Sequence, residues 1–422
     1  MTSQDFSVKF HKSDKNLKNE LSFEIEGDKV YGLDKSIVNG IRRTLLTDIK
    51  TCAFNDENIV ININKSSLHN EFLKQRISLI PLYINPDEYK YLLFELKVKC
   101  DDEDIKNITV DMFNIYPVNA DTKHKLIQQE NMDYIPDEDN IKEKLKKVDT
   151  TFYDMDSPIS DTEKKKIFRP VEFKNMISYF LLTELKNLNS EEEYEEIELY
   201  CIPDISSGRY HARYNNLSTV VYSFKHNDKL FASVLDDKIK INKIKNVDEY
   251  GKSLFLSEGE RYYYRDNNNE PYWYNFKLQS HHYFNSKEVF IQSIDILINR
   301  FNYIQESINN IQDESVESDY TIERLKNDLS YKLNLPNEDD TTGNILQCHI
   351  VNKFIDDGSY LQFCGYKRPH PLRNEIFINV MIKPNDNSEP QRVNSIIKLF
   401  VDAIEDLMQL LNIFKETAEK KL

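Results

Sequence analysis

Two long segments of the sequence place an apolar residue at alternating steps of four and three, which is the pattern of a heptad seam. One runs from Phe290 to Ile304 and the other from Val393 to Phe414. The spacing predicts two amphipathic helices, the second about 40 Å long. Such a helix gains most of its stability when its apolar face is covered. Because the chain carries two such faces, we expect them to cover each other.

Each seam ends the same series of predicted elements. Apolar and polar residues alternate over 21–25, which predicts a half-buried strand, and an apolar helical stripe follows at 37–45. Nearer the C-terminus, a capped helix with apolar positions over 345–354 precedes an alternating strand at 376–382. The sequence therefore predicts an α+β fold in which two modules of one plan form an intramolecular pseudo-dimer.

The predicted interface between the modules uses the apolar residues of both short helices and both seams, because neither seam is easily covered within its own module. We expect it to consist of Ile37, Ile41, Leu45, Phe290, Ile294, Leu297, Phe301, Ile345, Phe354, Phe400, Ile404, Leu407 and Leu411.

Changes in composition along the chain predict an interrupted first module and a tethered second one. An acidic stretch with poor apolar periodicity between 120 and 167 indicates an inserted, partly mobile region. A tether would hold the two modules at an effective concentration on the order of millimolar. The predicted segments are 1–84 (first segment of the N-terminal module), 85–225 (inserted domain), 226–305 (second segment of that module), 306–319 (linker) and 320–422 (C-terminal module).

Charge and hydropathy exclude several classes of protein. A formal net charge of −16 argues against a nucleic-acid surface spread over the chain, so we expect no direct DNA contact. The sequence has no apolar run of 18 residues and no N-terminal signal sequence, which predicts a soluble, intracellular protein without membrane contact. Five widely spaced cysteines, an odd number, are typical of a reducing compartment.

A search for catalytic and metal-binding patterns leaves one candidate cluster. The sequence holds neither a Walker-type phosphate loop nor a dinucleotide fingerprint. Cys348, His349, Cys364 and His370 would supply zinc-ligand atoms. However, Cys348 and His349 are adjacent on a predicted helix, so their side chains diverge by about 100°. We therefore expect no catalytic residue, metal or cofactor.

Three short blocks in the C-terminal module carry a family resemblance. Asp340–Leu346, Phe363–Tyr366 and Pro369–Leu372, followed by a strand and a long helix, resemble the small alpha-like subunit of multisubunit RNA polymerases, the eleventh subunit of the eukaryotic polymerase II type. The resemblance implies a dimerisation module of the alpha-subunit type.

The N-terminal module carries a different resemblance. Asn39–Leu46, Leu68–Phe72, Arg76–Leu82 and Gly208–Tyr214 resemble the large alpha-like subunit, the third-largest of that polymerase. Many members hold a zinc or iron–sulfur site in the inserted domain through clustered cysteines. Here the insert has only two, Cys100 and Cys201, which puts that site in doubt. A fusion of these two subunit types is typical of nucleocytoplasmic large DNA viruses, which implies a viral protein of the host cytoplasm and the virion, with the nucleus as the alternative.

The resemblance implies a non-catalytic assembly platform of a DNA-directed RNA polymerase. Its implied partners are the second-largest and largest polymerase subunits and the small alpha-associated subunits. Five residues of the matching motifs are predicted to dock the large subunits, namely Arg42, Arg43, Tyr366, His370 and Leu372. Solvated arginines and a rigid turn around Pro369 and Pro371 are the structural alternative. A polymerase-independent acidic adaptor on the same fold, or an enzyme, are the functional alternatives.

Overall fold

The computed structural model describes residues 8–12, 19–28, 33–88, 91–101, 104–130, 145, 148–174, 176–190, 193–215, 217–281, 283–312, 319–325, 329–355, 360–384 and 388–422. The helices are α1 (Lys35–Thr47), α2 (Asn70–Ser78), α3 (Ala120–Glu130), α4 (Asp161–Ile167), α5 (Asp228–Asn242), α6 (Val247–Glu258), α7 (Ser286–Asn309), α8 (Asp340–Phe354) and α9 (Glu389–Lys421). None of these helices is both long enough and apolar enough to cross a membrane.

The strands are β1 (Lys9–Lys12), β2 (Glu20–Glu26), β3 (Lys50–Asn64), β4 (Leu92–Lys99), β5 (Ile105–Thr109), β6 (Asn114–Pro117), β7 (Val171–Phe173), β8 (Met176–Ser178), β9 (Leu181–Ser190), β10 (Glu193–Tyr194), β11 (Glu196–Ser207), β12 (Leu217–Phe224), β13 (Trp273–Ser280), β14 (Thr321–Arg324), β15 (Ser330–Pro336), β16 (Leu361–Lys367) and β17 (Glu375–Ile382).

The chain divides into two compact units. The first contains residues 1–46, 218–280 and 286–422, and the second contains Thr47–Leu217 with His281–Asn285. Within the first unit, we call the described residues of 8–46, 218–280 and 286–312 the N-terminal module and those of 319–422 the C-terminal module. The sequence predicts an insert at 85–225, whereas in the structure β3 already belongs to the second unit, because it pairs along its length with β11.

The two modules of the first unit have the same sheet topology. In the N-terminal module the strand order is β1-β2-β13-β12, and in the C-terminal module it is β14-β15-β17-β16. In each, a short helix follows the second strand (α1 or α8) and a long helix follows the last (α7 or α9). Strands β2 and β15 alternate buried and half-buried residues, as the apolar alternation in the sequence requires. This confirms the predicted α+β fold of two modules with one plan.

The N-terminal module contains one addition that the sequence pattern did not predict, the pair α5 and α6 between β12 and β13. The side chain of Asn227 accepts a hydrogen bond from the Leu230 N–H at the start of α5, and Asn246 does the same for the Glu249 N–H at the start of α6. Lys243, with φ 51°, ends α5 in the left-handed conformation. The pair therefore has clear capping signals although its apolar residues form no single buried stripe.

The second unit is built around antiparallel sheets of its own. One has the strand order β3-β11-β4-β6, and another has the order β10-β9-β5. Their core includes the rings of Phe54, Phe94, Phe113 and Phe168, whose neighbouring centroids lie 5.0 to 6.4 Å apart. Of the excursion predicted at 120–167, the structure describes α3 and α4, while 131–144 and 146–147 lie outside the described residues.

The sequence also predicts a short strand at Val30–Tyr31 and a helix stop at Asp357–Gly358, and both lie outside the described residues. The predicted linker at 306–319 includes the end of α7, which continues to Asn309, and residues 313–318, which are not described.

Candidate assembly interface

The long helices α7 and α9 pack antiparallel across the boundary between the modules. Their polar contacts establish the direction, because residues later in the sequence of α7 contact residues earlier in the sequence of α9. Lys287 Nζ donates to the Glu419 carbonyl oxygen (3.0 Å), Lys415 Nζ donates to Asp295 Oδ1 (2.7 Å), and Gln305 Nε2 donates to Glu405 Oε1 (3.2 Å). The two seams of the sequence thus belong to helices that cover one another.

An aromatic cluster joins the modules where the start of α7 meets the end of α9. The Phe290 ring lies with its centroid 5.0 Å from Phe23, 5.7 Å from Phe276 and 6.2 Å from Phe414. The Phe414 ring of the C-terminal module also meets Phe10 edge-on at 5.0 Å. All five rings are buried. Edge-to-face rings at these distances are favourable beyond their burial, so this cluster is a strong contact between the modules.

The short helices α1 and α8 also meet across the boundary. A Cβ atom on Gly40 would lie 2.5 Å from Ile345 Cδ1 and 3.6 Å from Thr341 Cγ2, so the absence of a side chain permits the close approach. Asn352 Nδ2 donates to Asp34 Oδ2 at 3.0 Å beside this crossing. Two helix pairs, long on long and short on short, therefore contribute to the interface together with strand β1.

Twelve of the thirteen residues predicted for the interface are buried, and Phe354 is half-buried. Phe290 and Ile345 contact the opposite module directly, through Phe414 and at Gly40. For the others, the assignment to the interface rather than to the core of one module remains a prediction.

Several interface residues escaped the sequence interpretation. Phe10, which contacts Phe414, lies on strand β1, and the heptad pattern of the helices says nothing about strand residues. Arg300 Nε lies 4.0 Å from Glu338 Oε2, with both side chains largely buried. The available signal for the contact between α1 and α8 was Gly40, since a glycine inside a helix lowers helix stability unless packing requires it.

The residues predicted to dock large subunits occupy two places. Arg43 on α1 is half-buried and lies close enough to Tyr366 of the C-terminal module to influence its ionisation: burial raises the pKa of the Tyr366 hydroxyl, and the Arg43 charge opposes that rise. Arg42 is half-buried and donates through Nε to Asn39 Oδ1 (3.0 Å). Arg43 and Tyr366 are therefore near one another, whereas the Arg42 side chain contacts Asn39 on its own helix.

His370 and Leu372 lie on the turn that follows β16. The Leu372 N–H donates to His370 Nδ1 (3.1 Å), and the Leu372 side chain is 90% exposed. Arg368, which the sequence interpretation missed, supports this turn by donating through Nη2 to the Pro371 carbonyl (2.9 Å) and through Nη1 to Asp340 Oδ2 (3.3 Å). The turn therefore presents a projecting leucine on a braced backbone.

The residues considered as zinc ligands have different neighbours. Cys348 Sγ lies 3.6 Å from Asn344 Oδ1, whereas His349 Nε2 lies 2.9 Å from Asp406 Oδ2 on α9. Burial raises the pKa of the Cys364 thiol to about 12, which keeps it protonated at neutral pH. Among the described residues, no group of three or more His, Cys, Asp or Glu side chains is placed to hold a metal ion.

Because of the contacts of Asp406, we expect the free energy of unfolding to depend on pH. Burial alone would raise the pKa of Asp406, but hydrogen bonds and charge from His349 and Lys353 outweigh it and hold that pKa below its usual range. A carboxyl group whose pKa is lower in the folded state stabilises that state at pH values above its unfolded pKa of about 3.9. This stabilisation is lost as the pH falls through the pKa of the folded state.

We expect Asp406→Asn to be less stable than the wild type at pH 7, with a difference that shrinks below about pH 4. Denaturant unfolding between about pH 2.5 and 7 measures this difference. Asp402→Asn, at an exposed position one turn earlier on α9, controls for the loss of one negative charge. A difference that stays constant over the whole range would contradict the expectation.

Comparison with known families accounts for this arrangement. A family model described as the RNA polymerase Rpb3/Rpb11 dimerisation domain matches residues 29–301, and a second model with the same description matches residues 330–417. The first match begins after β2 and includes the segments inserted into the N-terminal module, and the second lies within the C-terminal module.

Individual relatives carry polymerase names. The chain is 22% identical over 325 residues to the DNA-directed RNA polymerases I and III subunit rpac1 of Dictyostelium discoideum, covering 69% of this chain and 80% of that protein. It is 33% identical over 89 residues to the RPAC1 subunit of Homo sapiens, and equally to that of Bos taurus, covering 18% of this chain and 25% of each. Since the first family model alone spans more than half of the chain, the chain belongs to the RNA polymerase Rpb3/Rpb11 dimerisation domain family and holds two such domains in tandem.

Proposed function

We propose that this chain is the non-catalytic assembly platform of a DNA-directed RNA polymerase, with the third-largest and eleventh subunit types fused in one polypeptide. The observation that carries the proposal is the pairing of two modules of identical strand order through α7 on α9 and α1 on α8. Because both modules are in one chain, their pairing is intramolecular and does not depend on the concentration of a second subunit.

The proposed docking surface for the large subunits comprises Arg42, Arg43, Tyr366, His370 and Leu372. Guanidinium groups form bidentate pairs with carboxylates, and an exposed leucine on a braced turn provides an apolar anchor. In this proposal the second-largest subunit binds first and the largest follows, while small alpha-associated subunits bind the flank. The nucleotidyl-transfer site lies in the large subunits, and this chain contributes no catalytic residue, cofactor or DNA contact.

The fusion also supports a proposal about source. Two alpha-like subunits in one chain are expected for a nucleocytoplasmic large DNA virus, in which the protein would act in the cytoplasmic virus factory and be packaged in the virion. Purification of the polymerase from virions would recover this chain if the proposal is right.

The decisive experiment is affinity purification of the tagged full-length chain from the cells that produce it, followed by mass spectrometry. We expect stoichiometric recovery of two very large polymerase subunits without a separate alpha-like protein. Recovery of the chain alone, or with proteins unrelated to transcription, would favour a polymerase-independent acidic adaptor and overturn the assembly role, while leaving the fold unchanged.

Charge reversal tests the docking surface. We expect Arg42→Glu with Arg43→Glu to lower recovery of the large subunits about tenfold or more, since interface arginines are often energetic hot spots. Lys420→Glu with Lys421→Glu, an equal change of charge at the exposed end of α9, should leave recovery unchanged. Full recovery with the Arg42 and Arg43 variant, at unaltered thermal stability, would show that these arginines do not dock the large subunits.

A further inference from the structure

The second unit displays a two-stranded hairpin, β7 and β8, whose residues are all exposed. Val171 pairs with Ser178, and Phe173 pairs with Met176, and no other strand of the described residues joins this sheet. The side chains of Phe173, Met176 and Ile177 are 63%, 68% and 68% exposed. Isolated two-stranded hairpins are marginally stable in water, so an uncovered apolar hairpin is unusual in a folded protein.

The pairing register gives this hairpin two distinct faces. Residues two apart along a strand, and residues paired across strands, point to the same side. Val171, Phe173 and Met176 therefore form one apolar face, and Glu172 with Ile177 forms the other. The exposed apolar side chains of the first face could anchor an apolar segment of another molecule.

Basic residues are concentrated in the sequence that leads into and forms the hairpin, although the whole chain is strongly acidic. From Lys164 to Ser178 the sequence holds five basic residues and one acidic residue, against a net charge of −16 for the whole chain. Lys165, Lys166 and Lys174 are exposed, and Lys174 Nζ lies 5.5 Å from the centroid of the Phe173 ring on the hairpin itself. The hairpin segment therefore combines an apolar face with exposed basic residues.

We propose that the hairpin β7–β8 is a docking site for an acidic, amphipathic segment of a partner protein. Apolar side chains of that segment would cover Val171, Phe173 and Met176, while its carboxylates would face Lys165, Lys166 and Lys174. Charge complementarity of this kind selects the partner and speeds association, and the apolar anchors supply most of the affinity.

The composition of the face favours a protein over a nucleic acid. Single-stranded nucleic acids bind on platforms of several aromatic rings, on which successive bases stack. Here Phe173 is the one aromatic residue of the face, and its neighbours Val171 and Met176 are aliphatic. The proposal does not rest on the assembly role, because the partner is defined by its chemistry and not by its membership of a polymerase.

The test is site-specific photo-crosslinking of the full-length chain in the cells that produce it. A photoreactive phenylalanine analogue replaces Phe173, and the same analogue replaces Tyr303, 60% exposed on α7, as the background control. We expect position 173 to yield an adduct with a protein segment in which apolar residues alternate with Asp or Glu. An adduct with nucleic acid, lipid, a second copy of this chain or a segment without acidic residues would overturn the proposal, as would a yield no higher than at Tyr303.

Two sets of variants separate the apolar and electrostatic contributions. A synthetic peptide of the crosslinked segment should bind the chain at least about tenfold more weakly when Phe173→Ser and Met176→Ser are combined. Lys165→Glu, Lys166→Glu and Lys174→Glu together should weaken binding and reduce its dependence on salt, whereas Lys420→Glu with Lys421→Glu should not. Equal affinity of the peptide for all variants would overturn the proposal. A crosslinked partner unrelated to transcription would support it, even if the purification experiment refuted the assembly role.

Discussion

Phe290→Ala is expected to lower the free energy of unfolding by about 3–5 kcal/mol, the range for removing a buried phenylalanine ring. The Phe290 ring is fully buried and contacts Phe23 and Phe276 in its own module and Phe414 in the other. Alanine would leave a cavity bordered by four rings, since Phe10 also meets Phe290 edge-on at 6.3 Å, and the α7–α9 pair limits how far these rings can close it. The loss should therefore fall on the pairing of the modules as well as on the core.

Urea unfolding followed by the fluorescence of Trp273 measures this effect. Trp273 is the single tryptophan of the chain and lies on β13 in the same unit as Phe290, so its signal reports on that unit. Tyr303→Ala, which removes an exposed ring from the same helix, should cost less than about 1 kcal/mol. Equal losses in the two variants would refute the central role of the aromatic cluster.

Gly343→Ala is expected to destabilise the chain by about 1–3 kcal/mol, although alanine is the better helix former by about 1 kcal/mol. A Cβ at this position would lie 2.7 Å from Tyr366 Cδ2, 2.9 Å from Tyr366 Cγ and 2.9 Å from Ile376 Cδ1. The ring has little room to retreat, because the Tyr366 N–H donates to Gln347 Oε1 on the same helix at 2.8 Å. Steric overlap therefore outweighs the gain in helix propensity.

Gly251→Ala is the matched control, since Gly251 also lies inside a helix. Its added Cβ would meet Leu235 Cδ2 at 3.4 Å, an ordinary contact, so we expect a gain of about 0.5–1 kcal/mol. The same urea unfolding measures the change in the free energy of unfolding for both variants. A loss for Gly343→Ala and a gain for Gly251→Ala would establish that packing against Tyr366 requires Gly343. A gain in both variants would contradict that conclusion.

Local periodicity explains which elements could be predicted. The seams from Phe290 and Val393 became α7 and α9, and the alternating residues of 21–25 and 376–382 became β2 and β17, because burial of one face imposes a fixed spacing on apolar residues. Helices α5 and α6 lacked that signal: α5 buries none of its residues and α6 buries only Leu254. Their caps were present in the sequence, but a cap without an apolar stripe does not distinguish a helix from a turn.

By itself, the sequence determined that the chain contains two modules with the same order of elements, and that each ends in a helix whose apolar face must be buried. It determined this because the repeated spacing of apolar residues is a local property. Only the tertiary structure decided the antiparallel direction of α7 and α9, the meeting of Phe414 with Phe290 and the closeness of Gly40 to Ile345. Those contacts join residues far apart in the chain. Their geometry depends on how the side chains of several segments fit together, and no single segment specifies that fit.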